Sequence, residues 1–367
     1  MKNKSMYLDW YVKIPKVKYD LRSSGINYFN INLKLSNFDL SVNYDFGNPL
    51  TRKIIASRYG VKPDNIFVSS EGASGQNARI IRFISEKNPD KKEVIVEYPT
   101  YEPLLRLAQE YFLAVKRVER IEEDDYTISV GSLKKVVSKK TGLLIITNPH
   151  APTGAILDKQ QIKEIMNLAN EYRFYVICDE IYSEFNRKFI PTVYSVDKEN
   201  GITTTGFSKC YGLGGLKLGV SISKKELTDE LYIDSLNSVG NHPNIVQYIS
   251  YELFKKNKKD LDNHLKKWDN LKKETENFLD KNNFEYFPCK VGITYWIKTK
   301  INDTHQWVNK KTLPSYGLVV VPGAFFLYRY NYKLKKSNMI RIGLGNINPE
   351  KPNLNKTLNI FKKAFSQ

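Results

Sequence analysis

The sequence has little cysteine and no long apolar segment, and each absence excludes a class of protein. Three cysteines (Cys178, Cys210 and Cys289) in 367 residues are too few for a disulfide framework, and their spacing is not that of metal ligands. No apolar run reaches the ~18 residues that a membrane span needs. The first residues also lack the apolar stretch of a secretion signal. We therefore expect a protein of the reducing cytoplasm, without a membrane segment and without a bound metal.

Positive charge is abundant but is not concentrated in one place. The formal net charge is +18, and 45 of the 57 basic residues are lysines scattered along the whole chain. Nucleic-acid-binding proteins instead gather arginine and lysine on one face, often among stacking aromatic residues. We therefore expect no nucleic-acid partner, although the charge would attract small anionic molecules.

The pattern of apolar residues predicts an α/β fold. Residues 143–147 and 175–178 are near-continuous apolar runs, which are typical of strands buried in a parallel sheet. Between them, Asp158 and Gln161 have the spacing of a capping box that starts a helix. Because strand and helix patterns alternate from about residue 51, we predict a mostly parallel sheet sandwiched by helices.

The chain is long for a single core, so we expect more than one domain. Residues 1–45 are aromatic-rich and irregular, and we predict an N-terminal arm there. Residues 46–240 carry the alternating pattern of a large domain. Longer helical patterns and short strand patterns then predict a smaller α+β domain over residues 241–367.

Distinctive polar residues follow three predicted strands, at the edge where open parallel sheets place their active sites. Asp179 follows the strand at 175–178, and an Ala-Pro-Thr-Gly sequence at 151–154 follows the strand at 143–147. After the strand at 202–205 comes a glycine-rich loop with the pattern Ser208-Lys209-x-x-Gly212-Leu213-x-Gly215-x-Lys217-x-Gly219. This ordered set resembles the fold-type I pyridoxal-phosphate (PLP) enzymes of the class I/II aminotransferase group, over residues 44–345.

The resemblance implies roles around the PLP ring. Lys209, 30 residues after Asp179, matches the lysine that carries PLP as a Schiff base and later moves the substrate's α-proton. Asp179 matches the carboxylate that keeps the pyridine nitrogen protonated, so that the ring is a stronger electron sink. Tyr182 resembles the tyrosine that hydrogen-bonds the 3′-oxygen. Tyr101 resembles the aromatic residue that stacks on the ring.

The phosphate of PLP is expected at the start of a helix. Gly72, Ala73 and Ser74 lie where a predicted strand turns into a helix. The backbone N–H groups at such a start, with a serine hydroxyl, suit a bound anion. Ser208 and Lys217, both in the lysine motif, complete the cofactor-binding residues that the resemblance implies.

Arg341 resembles the family's arginine that binds the α-carboxylate of the substrate. Guanidinium suits this role because its planar fork matches a carboxylate with two hydrogen bonds. Purely structural roles stay open for several of these residues. Asp179 could cap a turn, Ser74 could cap a helix, Tyr182 and Tyr101 could fill a core, and Arg341 could form an ion pair.

Three residues depart from the family pattern, and all three concern the cofactor. Lys217 stands where the family usually has an arginine, which keeps the charge but loses the fork. Gly206 stands where a serine or threonine usually adds a hydroxyl to the phosphate. Ala151 replaces the asparagine that donates to the 3′-oxygen, and Asn148, three residues earlier, is not a simple substitute. We expect weaker PLP binding as a result.

The resemblance implies a PLP-dependent aminotransferase that works by ping-pong chemistry, and we favour an aspartate-type amino donor with 2-oxoglutarate as acceptor. Residues 31–37 only loosely resemble the corresponding segment of histidinol-phosphate enzymes, so that substrate is less favoured. A PLP-dependent lyase or decarboxylase on the same scaffold is the alternative. A non-catalytic PLP-binding regulator is a remote one, because no helix-turn-helix pattern precedes Tyr44. The family's sites also imply a homodimer.

Overall fold

The computed structural model describes residues 4–28, 39, 41–256, 258–328, 333–350 and 352–366. Its α-helices are α1 Met6–Lys13, α2 Pro49–Tyr59, α3 Gly72–Lys87, α4 Glu102–Tyr111, α5 Val130–Lys134, α6 Lys159–Tyr172, α7 Val193–Val196, α8 Lys225–Ser238, α9 Asn244–Lys256, α10 Lys258–Lys281, α11 Thr304–Trp307, α12 Leu313–Tyr316 and α13 Leu354–Phe365. Its strands are β1 Tyr19–Asp20, β2 Arg22–Ser23, β3 Ile66–Ser69, β4 Glu93–Tyr98, β5 Ala114–Glu119, β6 Thr141–Thr147, β7 Tyr175–Asp179, β8 Gly201–Gly206, β9 Gly219–Ile222, β10 Glu285–Phe287, β11 Thr294–Lys298, β12 Leu318–Val319, β13 Val321–Pro322 and β14 Met339–Leu344.

The main sheet has seven strands in the order β3-β9-β8-β7-β6-β4-β5. Strands β4 to β8 pair in parallel, and β9 runs antiparallel to both of its neighbours. Every residue of β6 and of β8 is buried, because apolar clusters that include helix residues cover both faces of the sheet. The α/β fold with a mostly parallel sheet is therefore confirmed.

Helix α6 shows how local sequence fixes an element of this layer. The Asp158 carboxylate accepts from the Gln161 backbone N–H at 2.8 Å, and the Gln161 side chain accepts from the Asp158 N–H at 3.0 Å. This is the predicted capping box. Ile162 and Ile165 then lie on the buried face against the sheet. Helix α8, by contrast, has no clear amphipathic pattern in the sequence, because Ile233 and Leu236 lie on its exposed face.

A second sheet, in the order β10-β11-β14-β13, is built by the C-terminal part of the chain. The N-terminal residues join it: β2 pairs with β14 in parallel, and β1 pairs with β12 in a separate two-stranded sheet. The described N-terminal residues are thus more ordered than the predicted irregular arm. Residues 31–37, which were compared with histidinol-phosphate enzymes, lie outside the described residues. The domain boundaries at 45 and 240 stay a prediction.

Two further observations complete the fold. Within the described ranges, no helix combines the length and the apolar character that crossing a bilayer requires. Strand β9 contains only Gly219–Ile222, because residues 207–218 form the loop that carries Lys209.

Candidate active site

The carboxyl ends of β6, β7 and β8 meet at one edge of the main sheet. Thr147, Asp179 and Thr204 are neighbours there, because the strand registers pair Thr147 with Asp179 and Asp179 with Thr204. Lys209 follows three residues after the end of β8. The topology therefore places the predicted carboxylate and the predicted lysine at the same edge, where open α/β sheets bind ligands.

Asp179 is a buried carboxylate with two hydrogen bonds. Its side chain accepts from Asn77 Nδ2 at 2.7 Å on Oδ2 and from the Ile181 backbone N–H at 3.0 Å on Oδ1. Burial raises the pKa of the Asp179 carboxyl, and the two hydrogen bonds and the charge of Lys209 oppose that rise. The ionised carboxylate is thus favoured by its partners although it lies in the protein interior.

Asn77 is a site residue that the sequence did not reveal. It lies one helical turn after Ser74 on α3, and its Oδ1 accepts from the Thr204 hydroxyl at 2.6 Å. Since Thr204 occupies the amide oxygen, the NH₂ group is left facing Asp179. The spacing of three residues from Ser74 was the only signal in the sequence, because it puts both side chains on one helix face.

Lys209 is only partly exposed, and its pKa is lowered to about 8 by burial, by Arg341 and by Lys217. Its Nζ donates to Ser24 Oγ at 3.5 Å. The charge of Asp179 acts in the opposite direction on the same pKa. A lysine in these surroundings has a sizeable neutral, nucleophilic fraction near neutral pH.

Two tyrosines predicted at the site lie near these charges. Burial raises the pKa of Tyr182 to about 12, and the side chain of Ser24 opposes that rise. Burial also raises the pKa of Tyr101, whose ring meets the ring of Tyr7 edge-on at 5.9 Å between centroids. The charge of Asp179 adds to the rise of both pKa values.

The predicted phosphate residues lie at the start of α3. Gly72 has a φ of +70°, a left-handed conformation that favours glycine, and its N–H donates to the Lys217 carbonyl at 2.6 Å. Ala73 is buried, and Ser74 is exposed on the first turn. Lys217 is exposed as well. The helix start, the serine hydroxyl and the lysine are thus next to one another, as an anion site requires.

The structure explains why a glycine stands at position 206, and it shows that Asn148 does not compensate for Ala151. A Cβ atom on Gly206 would lie 2.6 Å from the Leu218 carbonyl oxygen, so a serine or threonine there needs a backbone shift. Asn148 is fully engaged with the backbone of Leu157, as donor at 3.2 Å and as acceptor at 2.9 Å. It therefore does not replace the amide that Ala151 lacks.

Arg341 is 2% exposed and lies on β14, facing the N-terminal helix. Its Nη2 donates to the Arg22 carbonyl at 2.7 Å and to the Tyr7 hydroxyl at 3.3 Å. Its Nε is buried without a hydrogen-bond partner among the described residues, and none of its described partners is a carboxylate. A buried guanidinium of this kind is suited to a carboxylate that arrives with a ligand.

An N-terminal strap, defined here as residues 22–27, connects Arg341 to Lys209. The Arg22 carbonyl accepts from Arg341, and the Ile26 N–H donates to the Lys209 carbonyl at 2.7 Å. A Cβ on Gly25 would lie 2.6 Å from Lys209 Cδ, so the strap passes the lysine in close contact. The sequence analysis did not identify this strap, because its contacts with Lys209 and Arg341 span more than 180 residues of chain.

Ser208 adjoins Lys209 in the same turn and is partly exposed. The structure thus brings together the predicted residues in two groups, one around the lysine and carboxylate and one around the helix start. These groups share Lys209, whose pKa is lowered by the charges of Arg341 and Lys217 and raised by that of Asp179.

Comparisons with known proteins agree with this arrangement. Residues 37–352 match the family model described as aminotransferase class I and II. A histidinol-phosphate aminotransferase of Methanococcus aeolicus is 27% identical over 218 residues, which is 58% of this chain and 57% of that protein. An aspartate aminotransferase of Pyrococcus abyssi is 35% identical over 154 residues, 40% of this chain and 38% of that protein.

The fold is shared with solved structures. An aromatic aminotransferase from Pyrococcus horikoshii superposes with a TM-score of 0.75 at 23% identity, covering 94% of both chains. The sequence alignments are shorter, since this chain spans about half the length of the curated relatives that it matches. At 23% identity, this structural likeness shows the fold.

Proposed function

This chain belongs to the class I and II aminotransferase family, and from that premise we propose that it is a PLP-dependent aminotransferase, which moves the amino group of an α-amino acid to a 2-oxo acid. The observation that carries the proposal is the position of Asp179, Lys217 and Arg341 relative to Lys209. Asp179 pairs with β8 three residues before the loop that carries Lys209 begins, Lys217 lies in that same loop, and the strap joins Lys209 to Arg341. We assign these three groups to the pyridine nitrogen, the phosphate and the substrate carboxylate. The amine would thus lie among all three.

The residues of the site fit PLP. Asp179 accepts one described hydrogen bond on each oxygen, so lone pairs remain for a ring N–H. Ser74, Lys217 and the first turn of α3 offer donors and positive charge for a phosphate. When it is bound, PLP supplies the electron sink that draws electrons away from the substrate's α-carbon.

The chain's own residues account for the remaining steps. Arg341 binds and orients the α-carboxylate, since its guanidinium is buried and its Nε has no partner in the described chain. Lys209 Nζ, in its neutral form, would take the proton from the α-carbon of the substrate and hold it as an ammonium. Because the pKa of Lys209 is lowered to about 8, that neutral form is available near physiological pH.

We propose aspartate as the first amino donor to test, with 2-oxoglutarate as acceptor and ping-pong kinetics. The aspartate aminotransferase relative supports this choice. Relatives named for histidinol phosphate and for aromatic amino acids support those donors as alternatives. Arg341 is compatible with each of these donors. Its guanidinium can bind the carboxylate of an amino acid or the phosphate of histidinol phosphate, and it places no constraint on the rest of the substrate.

A lyase or decarboxylase activity is the second candidate, and Ala151 is the observation that favours it. Its methyl side chain brings no donor to the 3′-oxygen, and Asn148 is held by Leu157. The electron distribution on the bound ring would therefore differ from that of an ordinary transaminase.

A donor screen with the PLP-loaded enzyme tests the proposal. Aspartate, phenylalanine and histidinol phosphate are each incubated with 2-oxoglutarate, and glutamate formation is measured. Transamination produces one glutamate per oxo product and gives parallel double-reciprocal lines, as ping-pong kinetics require. The Lys209→Ala variant is the negative control. Release of ammonia or carbon dioxide without glutamate would replace our proposal by the second candidate.

We also propose a homodimer. Ile233, Leu236 and Val239 are 56%, 38% and 51% exposed at spacings of three residues along and just beyond α8. Such an apolar row on one side of a helix favours a protein contact. Light scattering on the purified protein gives the mass directly, and a monomer at micromolar concentration contradicts the proposal.

A further inference from the structure

The N-terminal strap brings a serine hydroxyl to the centre of the site. Ser24 is 7% exposed, and its Oγ lies 3.5 Å from Lys209 Nζ. The same side chain also lies beside Tyr182, whose pKa it lowers against the effect of burial. The Ser24 hydroxyl thus lies between Lys209, the predicted PLP-binding amine, and Tyr182, the predicted donor to the 3′-oxygen. These two residues are 27 residues apart from each other and far from Ser24 in the sequence.

The position of Ser24 is tightly fixed by its neighbours. The Ile26 N–H donates to the Lys209 carbonyl at 2.7 Å, and Gly25 is so close to Lys209 that a Cβ would lie 3.0 Å from its Cα. On the other side, the Gly345 N–H donates to the Ser23 carbonyl at 3.1 Å. Because the backbone is held on both sides, the Ser24 hydroxyl has little freedom to move away from the lysine.

We propose that Ser24 is a positioning residue, which holds Lys209 Nζ and Tyr182 Oη in place at the edge of the sheet where β7 and β8 end. This inference rests on the proposed function, and the contacts that support it are all between residues of this chain.

The hydrogen-bonding capacities of the groups give the proposal a direction. A lysine ammonium only donates, whereas a serine hydroxyl can accept from it and still donate its own O–H to Tyr182. An acceptor next to the ammonium stabilises the charged form, so Ser24 opposes the lowering of the Lys209 pKa by burial. Its removal should therefore lower that pKa further and raise the neutral fraction of Lys209.

The test measures the reactivity of Lys209 in the PLP-free enzyme, without substrate. Each protein is labelled briefly with acetic anhydride across a pH series, and the labelled fraction of the Lys209 peptide is determined by mass spectrometry. In Ser24→Ala we expect the labelling midpoint to fall by about half a pH unit, with about threefold faster labelling at pH 7. The conservative Ser24→Thr variant should keep the midpoint of the original protein.

Ser23→Ala is the matched control, because Ser23 is the adjacent residue of the strap. Its hydroxyl donates to the Gly25 carbonyl at 2.7 Å and accepts from Asn27 at 3.0 Å, so its loss loosens the strap without touching the lysine. We expect an unchanged Lys209 midpoint. An equal shift in Ser23→Ala and Ser24→Ala, or no shift in Ser24→Ala, overturns the proposal.

Two features keep the outcome interpretable. If Ser24→Ala does not fold, Ser24→Gly also removes the hydroxyl without adding a charged or reactive group and should show the same downward shift. The labelling needs neither cofactor nor turnover. A protein that fails the donor screen can therefore still show the shift, and an active transaminase can still fail to show it.

Discussion

Asn77 and Asp179 are 102 residues apart in the chain, and a hydrogen bond of 2.7 Å joins the amide Nδ2 of the first to Oδ2 of the second. The Thr204 hydroxyl donates to the opposite end of that amide at 2.6 Å and fixes which end faces the carboxylate. The bond favours the ionised carboxylate and opposes the burial that raises the Asp179 pKa. The proposed partner of the ring nitrogen thus depends on a residue outside the motifs that the sequence analysis identified.

Asn77→Ala should weaken PLP binding by about 10- to 150-fold, since a hydrogen bond to a charged group contributes about 1.5–3 kcal/mol. Titration of the PLP-free variant with PLP, followed by tryptophan fluorescence, gives the dissociation constant. Asn170→Ala is a matched control, because it breaks an exposed Asn–Asp hydrogen bond of the same 2.7 Å length with Asp197. Equal affinities in the two variants would contradict the role of Asn77.

Lys209→Met should stabilise the PLP-free protein at pH 7 and lose that advantage towards pH 10.5. Burial lowers the pKa of Lys209 from 10.5 to about 8, so below pH 8 the folded protein holds a desolvated charge. Between pH 8 and 10.5 the unfolded chain binds a proton that the folded chain has released. The free energy of unfolding of the original protein therefore rises with pH in that window.

Thermal melts of both proteins at pH 7 and pH 10 measure this difference. The gain in Tm from Lys209→Met should be larger at pH 7. Lys163→Met, a change at an exposed position of α6, provides the reference for replacing a solvated lysine. The same gain from Lys209→Met at both pH values rules out a buried charge at Lys209 as its cause.

The sequence predicted the site residues that lie in short motifs directly after predicted strands. Asp179 and Tyr182 follow the near-continuous apolar run at 175–178, and Lys209 lies in the glycine-rich motif after the strand at 202–205, so their place at the sheet edge follows from local pattern and topology. Ser24 could not be found in this way. It meets Lys209 across 185 residues of chain, and the strand before it, β2, has two residues and no periodicity that a sequence could display.

Gly206 illustrates a second limit of sequence reasoning. The family pattern presented it as a missing hydroxyl, whereas the structure shows that the backbone of Leu218 occupies the space of a side chain. Gly219, which pairs with Gly206, is similarly crowded, since its Cβ would lie 2.3 Å from the Gly72 carbonyl. The two glycines can be read from the sequence. The strand register that brings backbone carbonyls close to them cannot.

Arg341→Lys should reduce kcat/KM for the amino acid about 100-fold, mainly through KM, and leave the affinity for PLP unchanged. Lysine keeps the charge, but it loses the fork that binds a carboxylate with two hydrogen bonds. Steady-state kinetics with the best donor from the screen, together with a PLP titration, separate the two effects. Arg82→Lys, which alters a partly exposed ion pair with Asp234, is the control and should leave KM unchanged.

Lys217→Arg and Gly206→Ser both move the phosphate site towards the family pattern, and we expect opposite results. Lys217→Arg restores a guanidinium fork on an exposed side chain, so PLP affinity should rise severalfold without a change in Tm. Gly206→Ser should lower Tm, because its Cβ would lie 2.6 Å from the Leu218 carbonyl and 3.3 Å from Ile181 Cδ1.

The size of the second effect follows from the atoms involved. A backbone carbonyl in a paired strand cannot rotate away as a flexible side chain can, so the strain falls on β8 and β9 and costs about 1–3 kcal/mol. Melts and PLP titrations of both variants and of the double variant measure each contribution. If Gly206→Ser keeps its Tm and binds PLP more tightly, the phosphate site has room for a hydroxyl, and the packing of Gly206 against Leu218 does not account for the glycine.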